Sequence, residues 1–350
     1  MFCSSAAVSC MCLCCMWEDK NAMPYSNADI IVPVWNSPFE TRACLAAILE
    51  SAPGARLIVV DNGSSRETER MLEEFSEPLG DNGLFVKSDR NLGLIRAINM
   101  GLSLSDRAFA VLVRPHVLVS KGWLAPLLEA AQHGMATSSV STGAASGSAA
   151  VVETFDVTFS VLALSRELLR QIGSFDEGLD GGEWCLKDFV RRAWQQGYRT
   201  SLSLNSQVIV GAETVFGSGE RLAELAKNSS QEYHQRWGEA RCYAVYFGKQ
   251  ADPAQFADVA GIMLAAARKG HRFNVFLHMK QHQQFADAGW VSMHRSVECH
   301  RLSRMFAGKD LEKRYALLKS SCPGLIAVSG NEAVLLPGET TAITFSEVQQ

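Results

Sequence analysis

From Asp29 onward, short apolar runs alternate with stretches whose apolar positions recur at helical spacing. Residues 30–34, 56–60, 84–87 and 108–113 read as four buried strands. Between and after them, residues 38–51, 67–75, 94–103 and 123–132 read as helices; the first carries Phe39, Cys44, Leu45, Ile48 and Leu49 as its apolar positions. Residues 116–122 read as a loop before the last of these helices. Continuous apolar strands that alternate with helices predict a parallel sheet, because a parallel connection needs a crossover long enough to return to the same edge. Polar turn formers follow the first two strands, ending in Trp35-Asn36 and in Asp61-Asn62-Gly63-Ser64-Ser65. In open α/β sheets such strand ends are where ligand-binding groups gather.

The pattern weakens over residues 137–150, which carry neither charge nor periodicity and read as a mobile loop. A strand at 158–164, a helix at 166–172 and a helix at 185–196 closed by Gly197 follow. A smaller α/β unit is predicted for 239–350. It has strands at 242–247, 272–278 and 296–301, helices at 253–267 and 311–319, and final strands at 325–328 and 341–345. It lacks a glycine-rich phosphate loop. Support for the larger unit and half of an interdomain acceptor cleft are both open roles for it.

The 350 residues suffice for one large and one small domain. A net charge of −4 gives no overall basic field for nucleic acid or an anionic membrane, and no apolar run approaches the length of a bilayer span. Cys3, Cys10, Cys12, Cys14 and Cys15 crowd the N-terminus without the two Cys-x-x-Cys pairs of a zinc site or a nearby His. Residues 1–22 are expected to be a disordered or non-native tail, with Met23 as an alternative start. Cys44, Cys185, Cys242, Cys299 and Cys322 read as reduced thiols of a cytosolic protein.

Three segments now combine: Asp-Ile-Ile-Val-Pro-Val-Trp-Asn (29–36), Leu-Ile-Val-Val-Asp-Asn-Gly-Ser-Ser (57–65) and Asp-Arg-Asn-Leu-Gly-Leu-Ile-Arg-Ala-Ile-Asn-Met-Gly (89–101). In order and spacing they resemble the nucleotide-sugar half of the family 2 glycosyltransferases. The resemblance extends from Asp29 to about Gly217. It implies a GT-A-like fold, a Rossmann-type mixed sheet flanked by helices, within a domain at 23–238 whose donor half is 29–136 and acceptor half 151–238. It also implies a nucleoside diphosphate sugar as donor, with a saccharide, lipid-linked or protein hydroxyl as acceptor, and no nucleic acid. The location expected is the cytoplasm, with peripheral contact at the inner membrane face open to an enzyme that meets lipid-linked acceptors.

By this resemblance Pro33, Asn36 and Asp61, with Asn62 beside them, occupy the places that hold base and ribose. A strand-end carboxylate can accept from both a base N–H and ribose hydroxyls; a turn capping the next helix is the bland alternative. Arg90-Asn91-Leu92-Gly93 fits the family's Asn-x-Gly turn over the nucleotide, with Arg90 available to a phosphate. The fourth strand should end in Asp-x-Asp, the metal-binding pair, yet it runs into Arg114-Pro115-His116. Arg114, with His116, could charge the diphosphate directly. The metal site could instead have decayed along with catalysis, or Arg114 could simply pair with a nearby acid. No divalent metal is expected.

In the acceptor half, Ile-Gly-Ser-Phe-Asp-Glu (172–177) resembles the family's Gly-Gly-Phe-Asp-Glu turn. The acidic pair that should follow, carrying the base, falls on Cys185-Leu186 or on Glu183-Trp184, depending on a two-residue gap. Glu183 and Asp188 are the substitute bases. Trp184 could stack on an acceptor sugar, with helix-start charge for Glu183 and core packing for Trp184 as the alternatives. The His often placed after the next strand to complete the metal shell is absent from residues 206–214. His278 and His282 lie four apart, but without an acidic or Cys partner they are read as straddling a strand end and a helix start rather than as a metal site. Two functions remain: metal-free sugar transfer, or a glycosyltransferase-like scaffold that binds nucleotide, glycan or a partner without turnover.

Overall fold

Three parallel strands of the larger sheet, residues 28–34, 56–61 and 109–113, are apolar almost throughout because both faces are covered. β1 (Ala28–Val34), β2 (Arg56–Asp61), β3 (Gly83–Lys87) and β4 (Phe109–Val113) pair in parallel, in the order β3-β2-β1-β4. Successive side chains point to opposite faces. Ile30, Val32 and Val59 therefore pack with Leu45 of α1 (Pro38–Ser51), Met71 of α2 (Arg66–Ser76) and Leu127 of α4 (Leu124–Ala131). Ile31, Ile58 and Val60 pack on the other side with Ile98 of α3 (Leu94–Leu104), Leu168 of α5 (Arg166–Ile172) and Phe189 of α6 (Trp184–Gln195). This is the parallel, helix-flanked sheet that the pattern predicts. The computed structural model describes residues 25–141, 150–212, 219–250, 253–330 and 334–348. The cysteine-rich tail expected at 1–22 lies outside them.

Beyond β4 the sheet turns mixed. Its remaining strands are β5 (Val117–Val119), β6 (Gly134–Val140), β7 (Val151–Glu153), β8 (Val161–Ser165) and β9 (Arg199–Val210). The order continues β4-β8-β6-β9-β5, with β7 also on β9 and β8 antiparallel to both its neighbours. β6 corrects the expected loop at 137–150, the centre of which lies outside the described residues. Thr137 and Ser138 are buried in the sheet, and hydroxyl bonds replace apolar content: Thr137 Oγ1 donates to Val161 O at 2.8 Å, and the Ser138 and Ser206 hydroxyls pair at 2.7 Å. β5 likewise occupies the expected loop at 116–122. α7 (Gly219–Trp237) has no counterpart in the sequence reading; it buries little beyond Ser229 and Tyr233, so its apolar stripe is faint.

Asp29, at the start of β1, is fully buried. It accepts Arg56 Nε at 2.7 Å, Ser105 Oγ at 2.8 Å and the Asp106 amide at 3.0 Å. Burial alone would raise its pKa, but Arg56, the Arg107 amide and Ser105 together hold the carboxyl below its ordinary value. One carboxylate thus fixes the N-terminal ends of β1 and β2 and the turn into β4.

The smaller sheet is all parallel, in the order β12 (Val297–Arg301), β11 (Arg272–Leu277), β10 (Cys242–Tyr246), β13 (Ile326–Ser329). α8 (Phe256–Ala267), α9 (Met279–Asp287) and α10 (Ala307–Ser321) make its crossovers. The strand expected at 341–345 is instead a single bridge, Ile343 to Val328, running into α11 (Phe345–Val348). The two sheets meet at β7. Glu153 accepts Arg268 Nη2 at 2.8 Å, and its carbonyl accepts the Arg295 amide at 2.8 Å.

His294 lies beside this joint, 2% exposed, with Glu153, Asp156 and Arg268 as its charged neighbours. Burial, reinforced by Arg268 and opposed by Glu153 and Asp156, lowers its pKa to about 4. Between the ordinary histidine value of 6.5 and about 4, the unfolded chain binds a proton that the folded chain refuses. The stability tied to neutral His294 is therefore complete above that window and lost as pH falls through it. Relative to His294→Gln, the native chain should lose about 1.4 kcal/mol per pH unit there. Parallel denaturation curves across the window test this, and equal slopes for the two chains would refute it.

Candidate functional site

The carboxyl ends of β1, β2 and β3 are joined by side chains. Val34 pairs with Asp61, and the Asn62 amide donates to Val34 O at 2.8 Å. Asp61 is 6% exposed, and its Oδ1 accepts the Ser64 amide at 2.9 Å. Asn36 adopts a left-handed conformation, φ 57°, which Asn tolerates better than most residues. Its amide donates to Ser64 Oγ at 3.0 Å, and its Oδ1 accepts the Ser65 amide at 2.8 Å. Asn62 reaches the third segment: Nδ2 donates to Asn91 Oδ1 at 3.0 Å and Gly93 O at 3.1 Å, and Oδ1 accepts the Leu92 amide at 2.9 Å. Asn91 closes its own turn through the Gly93 amide at 2.8 Å.

Two glycines permit the approach. A Cβ on Gly63, φ +71°, would stand 2.3 Å from the Arg90 carbonyl carbon. One on Gly93, φ +97°, would stand 2.5 Å from Asp180 Oδ2. Asn36, Asp61, Asn62, Asn91 and Gly93 are thus brought together. Arg90 lies exposed on the rim, and Pro33 is buried in β1 opposite Val60.

Asp180 and Asn99 were not singled out from sequence. Half-buried Asp180 accepts the Ile95 amide at the start of α3; burial pushes its carboxyl up, with the Ile95 amide and Arg96 opposing. Asn99 exchanges hydrogen bonds with the Phe175 backbone at 2.9 and 3.1 Å, and Glu177 accepts Arg96 Nε at 2.9 Å. The turn resembling Gly-Gly-Phe-Asp-Glu is therefore docked on the helix that the donor-side turn begins. A carboxylate among Gly178, Gly181 and Gly182 was the available signal for Asp180.

Glu183 is exposed at the start of α6, where its carboxylate makes no hydrogen bond or ion pair among the described residues. Trp184 is half-buried, with its ring 5.3 Å from Tyr233, 5.1 Å from His234 and under Lys187 Nζ at 4.3 Å. Asp188 is fully buried and accepts Arg192 Nε at 2.8 Å, Arg236 Nη1 at 3.0 Å and Trp237 Nε1 at 2.9 Å. That placement overturns the reading of Asp188 as a base. Arg192 holds Oδ2 within α6, Oδ1 joins α6 to α7 through Arg236 and Trp237, and the buried carboxylate has no oxygen open to an acceptor.

At the end of β4, the Arg114 amide donates to Ser160 O at 3.0 Å, and His116 O accepts the Gly211 amide at 2.8 Å. A divalent ion needs several anionic or carbonyl oxygens. A guanidinium and an imidazole at this strand end do not fit one, and among the described residues no three His, Cys, Asp or Glu side chains gather as a metal site. The stretch 206–214, read for a missing His, is described only to 212. In the smaller sheet His278 caps α9 and meets the Tyr246 hydroxyl at 3.1 Å, so its polar contact is to a phenol.

Residues 29–156 match the model of the glycosyl transferase family 2. Over that segment the chain resembles the family 2 glycosyltransferases. The fold is that of the GT-A glycosyltransferases. The structure of GalNAc-T7 with UDP, GalNAc and Mn2+ superposes with a TM-score of 0.51 at 16% identity, covering 63% of this chain and 49% of that one. This chain thus spans about half of the GalNAc-T7 structure. The mannosyltransferase PcManGT from Pyrobaculum calidifontis, in complex with GDP-Man and Mn2+, superposes with a TM-score of 0.49 at 17% identity, over 77% of this chain and 78% of that one. No curated protein matches the sequence.

Asn62→Ala should orphan the Leu92 amide and sever the Asn91 turn. The expected cost is about 1–3 kcal/mol, read as a lower midpoint in urea; an unchanged midpoint would show that Asn62 does not hold these segments.

Proposed function

We propose that the chain transfers a sugar from a nucleoside diphosphate sugar to a hydroxyl of a saccharide, lipid-linked or protein acceptor, without a resident divalent metal. The observation that carries this reading is the polar cluster at the strand ends of the segment matching the family 2 model, where Asn62 binds Asn91 and Gly93 while Asn36 and Asp61 meet through Ser64. Asp61 accepts from base and ribose, its carboxylate oriented by the Ser64 amide. Asn36 shapes the same wall, and Arg90 lies at the rim. Arg114 and His116 supply charge to the diphosphate, where a guanidinium can bind phosphate oxygens in pairs.

Glu183 is the base in this proposal. Its exposure admits an acceptor. It takes the hydroxyl proton as the acceptor oxygen attacks the anomeric carbon. The bond from that carbon to the diphosphate oxygen breaks, and the nucleoside diphosphate leaves with the electron pair. Trp184, next in sequence, offers its uncovered edge to an acceptor ring. Asp180 positions the loop carrying Glu183 against the donor-side turn. We assign residues 23–238 to this transferase domain and 239–350 to a separate smaller one. The free thiols Cys44, Cys185, Cys242, Cys299 and Cys322 favour a reducing compartment, the cytoplasm.

A second reading is a domain that binds nucleotide without turnover. It is favoured by the consumption of Asp188 in a structural ion cluster and by the cationic end of β4.

Calorimetry with UDP, GDP and their sugars, in Mn2+ and then in EDTA, tests the proposal. Binding should survive EDTA and weaken at least tenfold, about 1.4 kcal/mol, in both Asp61→Ala and Arg114→Ala. Glu183→Gln should keep donor affinity and lower turnover by about 10²–10⁴. Binding without turnover in the native chain would establish the second reading, binding that requires Mn2+ would remove the metal-free clause, and no binding would end both readings.

A further inference from the structure

The smaller sheet presents a face opposite in sign to the chain as a whole. Between 301 and 319 the sequence holds six basic and two acidic residues, against a net charge of −4 overall. These residues leave the end of β12 and enter α10, bordering an open groove of about 590 Å³ whose lining includes Arg301, Arg304, Lys309, Lys313 and Phe306. Asp310, the acid within it, is committed: it accepts the Ser303 amide at 2.9 Å and Arg314 Nε at 2.8 Å. Arg301, Arg304, Lys309 and Lys313 are exposed, and none makes a hydrogen bond or ion pair among the described residues.

Two apolar side chains stand at the centre of this charge. Met305 is 81% exposed and Phe306 61% exposed, both in the turn between β12 and α10. Further along α10, Leu317 lies one turn beyond Lys313 and is also largely exposed. Water is a poor environment for such a tip, and phosphate contact alone gives it nothing. A bilayer interface accommodates both parts, because apolar residues enter the headgroup boundary while Lys and Arg meet anionic lipid.

We propose that this face docks the chain on an anionic membrane surface, with Met305 and Phe306 entering the interface and Arg301, Arg304, Lys309 and Lys313 pairing with lipid headgroups. Charge complementarity selects the occupant, and the protruding pair distinguishes a bilayer from a soluble polyanion. Among the described residues no helix is long and apolar enough to cross a membrane, so the contact is made from the surface.

The test is co-sedimentation of the full chain with vesicles of phosphatidylcholine alone and of phosphatidylcholine with phosphatidylglycerol. The chain should bind the anionic vesicles alone and dissociate as salt rises. Each cation removed should weaken binding roughly fivefold, so Arg304→Glu with Lys309→Glu and Lys313→Glu should abolish it. Met305→Ser with Phe306→Ser should weaken binding to anionic vesicles at unchanged thermal stability, since both side chains are exposed. Binding indifferent to lipid charge, binding untouched by the double serine variant, or capture of a single-stranded oligonucleotide with no vesicle binding would each overturn the proposal.

Discussion

The Asn62 carboxamide is the constraint on which the site depends. Parallel strands diverge as the sheet twists, so nothing in the ladder itself closes their carboxyl ends together. Asn62 does so with both of its side-chain N–H groups and its oxygen, on Asn91, Gly93 and Leu92, while its backbone stays on β1. The turn thus fixed starts α3, and the α3 N-terminus receives Asp180. Through Asp180, Asn99 and Glu177, the loop leading to α6 takes its position. A continuous chain of hydrogen bonds therefore runs from the end of β2 to the helix that begins beside Glu183.

Carboxylates elsewhere are consumed by structure. Asp29 ties strand starts, and Asp188 lies between two guanidiniums and an indole. Arg236 also reaches Asp176, so this ion cluster adds to the Trp184–Tyr233 contact in holding α7 to the acceptor side. Removing one partner from so buried a cluster leaves an uncompensated charge, which costs more than the pair itself contributes. Holding the fold together thus occupies both Asp29 and Asp188.

The first four strand–helix units were legible because burial on both faces makes their strands continuously apolar and leaves an apolar face on each helix. Their bounds agree with the sequence reading to within two residues. β6 was illegible because Thr137, Ser138 and Ser139 satisfy themselves through hydroxyl bonds, leaving no hydrophobic signal. α7 was missed because it buries almost nothing apolar. At the site, Asn36, Asp61, Asn62, Asn91 and Gly93 were readable as turn residues at strand ends. Asp180 and Asn99 were not, since their partners lie some eighty residues away in sequence and pair only through the fold. Net charge concealed the basic face of α10, as a sum over the chain must.

The most direct measurement is a crystal structure of the chain grown with UDP or GDP. The base and ribose should lie against Asp61 and Asn36, with the Asn91–Gly93 turn beside them and the diphosphate directed toward Arg114. A nucleotide bound at the strand ends of the smaller sheet, with the Asp61 crevice empty, would contradict this placement.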